Sequence, residues 1–215
     1  MCKSVMICLA LVASISMVLV QGQTQTQQTC AQATSLDFNN QTYFSGQWFE
    51  VARNPAASVA CITLNVGFWQ NTNMLVNVSH SSSSTSLLAD VHESANITLV
   101  AGSTAGYNVS IVKGNQQEHV FIKLLQFVNN TYLTGCRYTG SDASTSAGFI
   151  LARSNYTAEG VKIANTNASA YYSNFQASTY GNVTQLNCYA SSAGQTGPLT
   201  LISGFLALAL LLIKA

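Results

Sequence analysis

The chain has 215 residues, and only 7% of them are charged, with eight lysine and arginine residues against seven aspartate and glutamate residues. So few basic side chains exclude the positively charged surface that binding to a nucleic acid backbone requires. Between two terminal segments typical of processing signals lie about 170 residues, enough for one domain with its own hydrophobic core.

Residues 1–22 are predicted to be a signal peptide. Lys3 supplies an early positive charge, a short apolar run follows, and Val20 and Gly22 are small enough for a signal-peptidase site. An N-terminal membrane anchor is the alternative, but the apolar run is short for a spanning helix and a polar stretch follows it directly. We therefore expect a mature, extracellular chain that begins at Gln23.

A distinctive motif begins just after Phe44. Gly46 and Trp48 are followed there by an aromatic residue, a glutamate and an aliphatic residue, and then by Ala52 and Arg53. A bare Gly-x-Trp pattern is common by chance, whereas this extended pattern is not. It is the most specific motif in the chain.

Several later segments alternate apolar and polar residues with period two, which is typical of half-buried strands. They lie at residues 61–69, 74–79, 97–101 and 107–112. On their apolar faces we expect Leu64, Val66, Phe68, Met74, Val76, Tyr107 and Val109 to point inward. Strands at spacings of roughly 8–14 residues, joined by short polar turns, predict an antiparallel sandwich or barrel.

The segment 119–127 is apolar on both faces, so the pattern does not choose its inward side. Two sets are open: Phe121 with Leu125, or Val120 with Ile122 and Leu124. Two further strands are predicted at 132–138 and 148–153, the second of which contains Phe149. The serine-rich stretch 81–86 is predicted to be a flexible loop.

One helix is predicted, from about Thr157 to Ser173. Thr157 is a suitable N-cap, and Glu159 is favourable in the first turn because it faces the positive end of the helix dipole. Gly160 and several asparagines are poor helix formers, so intrinsic propensity contributes little to this prediction.

Residues 191–215 are predicted to be a signal for attachment of a glycosylphosphatidylinositol (GPI) anchor. Small residues are followed there by a polar spacer and then by an apolar run at 199–213. A spanning helix needs about 20 apolar residues, so a short single-span anchor is the weaker alternative. We expect attachment at Ser192, with Ser191 as the second choice.

The sequence also predicts dense N-glycosylation, which would supply the solubility that the sparse charges do not. Eight Asn-x-Ser/Thr acceptors are present, at Asn40, Asn77, Asn96, Asn108, Asn129, Asn155, Asn167 and Asn182.

Four cysteines remain after removal of the signal peptide: Cys30, Cys61, Cys136 and Cys188. An even number in an oxidising compartment predicts two disulfides, although spacing alone leaves three pairings open. No Cys-x-x-Cys pair is present and the histidines are scattered, so no metal site is expected. The histidines are His80, His92 and His119.

The segment Gly46–Arg53 resembles the first-strand signature of lipocalins. Residues 61–65 resemble the second strand of the apolipoprotein D and Lazarillo branch, and residues 149–153, followed by a helix and Cys188, resemble the end of that branch. With the predicted anchor, the chain is similar to GPI-anchored lipocalins of insect type. One motif departs, because residues 126–128 stand where the family often has Thr-Asp-Tyr.

This resemblance implies an all-β domain at residues 23–190. Its fold would be an eight-stranded antiparallel up-and-down barrel, open at one end, with one C-terminal helix packed outside. Trp48, two residues after Gly46, would close the bottom of the cup, and Arg153 would lie across it. The resemblance also implies the disulfide pairs Cys30–Cys136 and Cys61–Cys188.

The function expected from the resemblance is binding or carriage of a small hydrophobic molecule, such as a fatty acid, a sterol or a retinoid, at the outer face of the plasma membrane. The expected pocket is lined by Leu64, Val66, Phe68, Met74, Val76, Tyr107, Val109, Phe121 and Phe149. Tyr107 would orient the ligand by a hydrogen bond. The alternative is a surface recognition or adhesion protein with a filled barrel, which would bind a cell-surface receptor.

An enzyme is the least favoured class. Some lipocalins catalyse an isomerisation through a free cysteine, but the implied pairing leaves none here. The histidines show no Ser/His/Asp or Cys/His arrangement. We therefore expect no catalytic residues and no cofactor.

Overall fold

The computed structural model describes residues 26–36, 44–70, 73–99, 106–113, 116–139, 146–175 and 180–190. The strands are β1 (Gly46–Asn54), β2 (Thr63–Gln70), β3 (Asn73–His80), β4 (Leu88–Ala89), β5 (Val91–Leu99), β6 (Tyr107–Lys113), β7 (Gln116–Val128), β8 (Tyr132–Thr139), β9 (Ala147–Ala152), β10 (Gly181–Asn182) and β11 (Tyr189–Ala190). The helix is α1 (Ala158–Ser169). The predicted signal peptide, the predicted anchor signal and Asn40 lie outside the described residues.

Eight of these strands form a closed barrel. They pair antiparallel in the order β1-β2-β3-β5-β6-β7-β8-β9, and β1 also pairs with β9, so that the sheet closes on itself. β10 adds to the edge of β1, whereas β4 and β11 form a separate parallel pair. The predicted eight-stranded antiparallel barrel with a helix packed outside is confirmed.

Side chains from the barrel wall form two hydrophobic cores, because alternate residues of a strand point to opposite faces. The inner core includes Trp48, Val66, Met74, Val76, Ile97, Tyr107, Leu124, Leu133 and Leu151. The outer core lies between the barrel and α1 and includes Val51, Ala52, Leu125, Ile150, Val161, Ala164 and Phe175. Full burial of each large aliphatic or aromatic side chain contributes roughly 1.5–3 kcal/mol.

The helix is shorter than predicted. Thr157 is the N-cap, and its hydroxyl accepts a hydrogen bond from the Gly160 amide. The helix ends at Ser169 rather than Ser173, because the following residues pair with the N-terminal segment: the Ser173 amide donates to the Gln28 carbonyl at 3.0 Å. Within the described residues, no helix is long and apolar enough to cross a membrane.

Two disulfides tie distant segments together. Cys30 is bonded to Cys136 on β8, and Cys61, just before β2, is bonded to Cys188 near the C-terminal end of the described chain. This is the pairing that the lipocalin resemblance implies. The bonds span 106 and 127 residues, and loops of that length correspond to on the order of 4–5 kcal/mol each in the chain-entropy model.

The closed end of the barrel is built from the Gly-x-Trp motif and the last strand. The Arg153 guanidinium lies 3.7 Å from the centre of the Trp48 ring. It also donates hydrogen bonds to the carbonyls of Gln47, at 2.6 Å, and Ser45, at 2.9 Å. Gly46 has a φ of +90°, and a Cβ there would lie 3.4 Å from the Arg153 guanidinium, so this position favours glycine.

The serine-rich stretch after β3 is anchored at its first residue. Ser81 is fully buried, and its hydroxyl accepts a hydrogen bond from the Ala60 amide at 2.8 Å. The same hydroxyl lies 3.0 Å from the Ala60 carbonyl and 2.6 Å from the Ser83 carbonyl. These bonds fix the start of a stretch predicted to be flexible throughout.

Candidate ligand-binding site

The barrel interior contains a cavity of about 70 Å³. Its walls come from seven of the barrel strands and from the residues just before β1, and all but one of its lining residues are apolar or aromatic. The lining residues are Phe44, Glu50, Leu64, Met74, Val76, Ile97, Tyr107, Ile122, Leu124, Phe149 and Leu151.

Five of the nine residues predicted to line the pocket lie at the cavity wall: Leu64, Met74, Val76, Tyr107 and Phe149. Val66 belongs to the inner core, and Phe68 packs against it, but neither lines the cavity. The side chain of Val109 is outside the described part of the structure.

Phe121 is a correction to the predicted pocket. Its ring stacks on that of Tyr138, with centroids 5.1 Å apart, on the outer face of the barrel. The inward residues of β7 are those of the other set: Val120 is in the inner core, and Ile122 and Leu124 line the cavity. Both faces of β7 are packed against other parts of the chain, so its hydrophobic pattern could not show which side chains point into the barrel.

Six lining residues were absent from the predicted set: Phe44, Glu50, Ile97, Ile122, Leu124 and Leu151. Ile97 lies on an alternating segment, so the period-two pattern contained a signal for it. Leu151 lies on β9, where every residue is apolar and buried, so the pattern did not show which side chains point inward. Glu50 is two residues from Trp48 and therefore shares its inward face, but a carboxylate is not expected in an apolar interior. Phe44 precedes the strand and had no pattern to identify it.

Glu50 is held in the interior by a paired arginine. The Arg53 guanidinium binds it through two nitrogens: Nε contacts Oε1, and Nη2 lies 2.7 Å from Oε2. Both residues are about 95% buried. Burial lowers the pKa of Arg53, but the charge of Glu50 and its hydrogen bonds outweigh this and raise the pKa above its ordinary value.

A bulge in β1 brings Arg53 to the inner face. Simple alternation from Glu50 would place Ala52 inward and Arg53 outward. The register of β1 against β9 shifts between Glu50 and Ala52, so Ala52 packs in the outer core and Arg53 is opposite Phe149, which lines the cavity. One extra residue in the strand therefore permits the ion pair.

A second arginine lies on the same inner face. Arg137 is 2% exposed and is opposite Ile122 on β7 and Ala147 on β9. Burial, together with repulsion from Arg53, lowers the pKa of Arg137 to about 10, and Glu50 offsets this in part. Its Nε has no hydrogen-bond partner among the described residues. Arg137 is still cationic at neutral pH.

Another buried polar pair is formed by residues of β3 and β5. Nε2 of His80 lies 3.4 Å from Oε1 of Glu93, while its Nδ1 lies 2.6 Å from the Ser81 carbonyl. His92 is exposed, and His119 lies 3.1 Å from the Asn108 side chain. In the part of the chain that the structure describes, no group of three or more His, Cys, Asp or Glu residues could hold a metal.

Most of the predicted glycan acceptors are accessible. Five are exposed: Asn77, Asn129, Asn155, Asn167 and Asn182. Asn108 is half-buried beside His119. The side chain of Asn96 is not described. Glycosylation of these residues stays a prediction.

No protein-family model matches the chain, and no curated protein is detectably similar to it in sequence. Solved structures do match. Insecticyanin of the tobacco hornworm Manduca sexta superposes with a TM-score of 0.56 at 12% identity, over 77% of this chain and 92% of that one. This likeness shows that the barrel has the lipocalin fold.

A second solved structure, the cockroach allergen Per a 4, is 15% identical, with a TM-score of 0.49, over 78% of this chain and 96% of that chain. A siderocalin, Ex-FABP, is 10% identical, with a TM-score of 0.46, over 69% of this chain and 99% of that chain.

Proposed function

We propose that this protein binds or carries a small hydrophobic molecule inside its barrel, outside the cell. The observation that carries the proposal is the cavity inside the barrel, whose walls are apolar apart from Glu50. Apolar ligand surface moved from water into such a cavity gains roughly 25 cal/mol per Å².

The size of the cavity limits the ligand. At about 70 Å³ it has room for several water-sized groups but is smaller than the ~300–1,000 Å³ typical of sites for drug-sized molecules. Met74 is the lining residue with the most adaptable side chain, which allows some widening. A slender acyl chain therefore fits this cavity better than the rigid rings of a sterol or a retinoid.

A fluorescence competition assay with delipidated protein tests the proposal, using a panel of fatty acids, sterols and retinoids. Val76→Phe places a ring in the cavity and is expected to weaken binding at least tenfold. The matched control is Leu75→Phe, because Leu75 is the neighbouring residue on the outer face of β3. Equal loss of binding in both variants, or no effect of either, would contradict a site inside the barrel.

Within the same proposal, the protein is a glycoprotein held at the outer face of the plasma membrane by a GPI anchor at Ser192 or Ser191. The two disulfides and the 7% of charged residues support an oxidising, extracellular compartment and a solubilising glycan shell. Treatment of expressing cells with a phosphatidylinositol-specific phospholipase should release the protein. Retention on cells would favour a spanning anchor.

Cell-surface recognition with a filled barrel is the second candidate, and the small cavity favours it. Aromatic rings crowd the closed end, where Phe44 lies 6.0 Å from Trp48 and 6.5 Å from Phe68 between ring centroids. Binding to cells or to a receptor that persists in Val76→Phe would support recognition over carriage.

We propose no catalytic activity. All four cysteines outside the predicted signal peptide are in disulfides, so none is available as a free nucleophile. A free thiol in the mature protein, measured by alkylation and mass spectrometry, would reopen the enzymatic alternative.

A further inference from the structure

Arg137 has hydrogen-bonding capacity that the described part of the protein does not use. A guanidinium carries five N–H donors, and burial without partners is costly because water can no longer satisfy them. Arg137 is 2% exposed, yet its Nε has no hydrogen-bond partner among the described residues. A buried donor of this kind is a candidate contact for a ligand.

The strand register places this side chain on the cavity side of the wall. Directly opposed residues of antiparallel strands share a face. Along β8 and β9 the opposed pairs are Leu133 with Leu151, Gly135 with Phe149, and Arg137 with Ala147. Leu151 and Phe149 line the cavity, so Arg137 continues the same inward row towards the end of the barrel opposite Trp48.

Among the described residues, the charges that act on Arg137 do not balance. Glu50 is the carboxylate that raises the pKa of Arg137, and Glu50 is already bound through both oxygens by Arg53. The cluster of one carboxylate and two guanidiniums therefore has one positive charge in excess, which the low-polarity interior does not screen.

We propose that the ligand is a lipophilic monocarboxylate, such as a fatty acid, whose carboxylate binds the Arg137 guanidinium while its hydrocarbon chain occupies the apolar cavity towards Trp48. This inference rests on the proposed function and specifies its ligand class. One carboxylate supplies one negative charge, which matches the excess. Its planar oxygens also suit the planar donor array of arginine.

Neutral lipids fit this interior less well. An alcohol, an ester or a sterol would fill apolar space but would leave the positive charge of Arg137 uncompensated. A group with two negative charges would reverse the imbalance beside Glu50. The charge of the site thus selects a monoanion, and the apolar wall selects its hydrocarbon chain.

The first test uses the wild-type protein, produced from the full chain and delipidated. Dissociation constants are measured for straight-chain fatty acids from caprylic to lauric and for the alcohols and methyl esters of the same chain length. We expect each acid to bind about 10- to 100-fold more tightly than its alcohol or ester. Equal affinities would overturn the inference but leave hydrophobic binding intact, whereas no binding of any probe would overturn the proposed function itself.

The second test replaces the guanidinium. Arg137→Met keeps a long apolar side chain and should lose the preference for acids while it keeps the affinity for alcohols. Arg137→Lys keeps the charge but not the planar donors, so acids should bind with intermediate affinity. Unchanged acid binding in Arg137→Met would overturn the inference. If that variant does not fold, the wild-type comparison of acids with alcohols decides alone.

Discussion

Arg153 stabilises the closed end of the barrel through the shape of its guanidinium as well as its charge. It lies 3.7 Å over the centre of the Trp48 ring and donates to two backbone carbonyls of the segment that precedes and begins β1. Arg153→Lys should therefore lower the free energy of unfolding by about 1–2 kcal/mol, since lysine keeps the charge but cannot stack and donate to both carbonyls together. Urea denaturation measures this difference. The control is Lys162→Arg at an exposed position of α1, which should change the free energy of unfolding little. An equally small effect of Arg153→Lys would contradict the packing of Arg153 on Trp48.

At the same scale, the Gly-x-Trp motif could be interpreted from the sequence, but the ion pair next to it could not. Trp48 and Glu50 follow the alternation of a strand, whereas Arg53 faces inward only because the register shifts between Glu50 and Ala52. A bulge leaves no clear mark in a single sequence, because it depends on how the partner strand pairs. The inward position of Arg137 could not be predicted either, since an isolated arginine in a strand is expected to point outward.

Among the elements, α1 packs so closely on β8 that position 160 requires glycine. A Cβ at this position would lie 2.0 Å from the Tyr132 hydroxyl oxygen, which itself accepts a hydrogen bond from the Thr157 amide at 2.8 Å. Gly160→Ala should therefore destabilise the protein by about 1–3 kcal/mol, although alanine is the better helix former by about 1 kcal/mol. Thermal unfolding measures the effect.

The control for this prediction is Thr166→Ala at an exposed position of the same helix, which should be neutral or slightly stabilising. A stabilising effect of Gly160→Ala would show that the helix does not pack this closely on β8. Glycine weakens the sequence signal for the helix at the position where packing requires it. Its start at Thr157 was nevertheless predictable from the capping residue, whereas its end was not.

The inward direction of a strand could be predicted when one of its faces is buried, but not when both are. β3 has buried residues on one face and the exposed Asn77 on the other, so its direction could be predicted from alternation. β7 is covered on both faces: Leu124 lies in the inner core and Leu125 in the outer core. Its hydrophobic pattern was therefore uninformative, and the placement of Phe121 was wrong for this reason. The two-residue strands β4 and β11 had no pattern at all.

For the whole molecule, the barrel could be predicted because several independent signals agreed: the alternating segments, the extended Gly-x-Trp motif and the even number of cysteines. The cavity was harder to predict from the sequence, because it depends on which inner side chains leave space between them. Leu64, Met74, Val76, Tyr107 and Phe149 were expected at the cavity wall and lie there. The buried charges on which the proposed ligand class rests come together only when β1, β8 and β9 pair in the barrel.

The central claim is that the barrel holds a small hydrophobic molecule. Native mass spectrometry of the deglycosylated protein, purified from cells that express the full chain, tests it most directly. We predict a bound species that adds the mass of one lipophilic molecule, that is released by organic solvent and that is absent from Val76→Phe. An empty wild-type protein that also takes up no fatty acid, sterol or retinoid when these are added would contradict the claim.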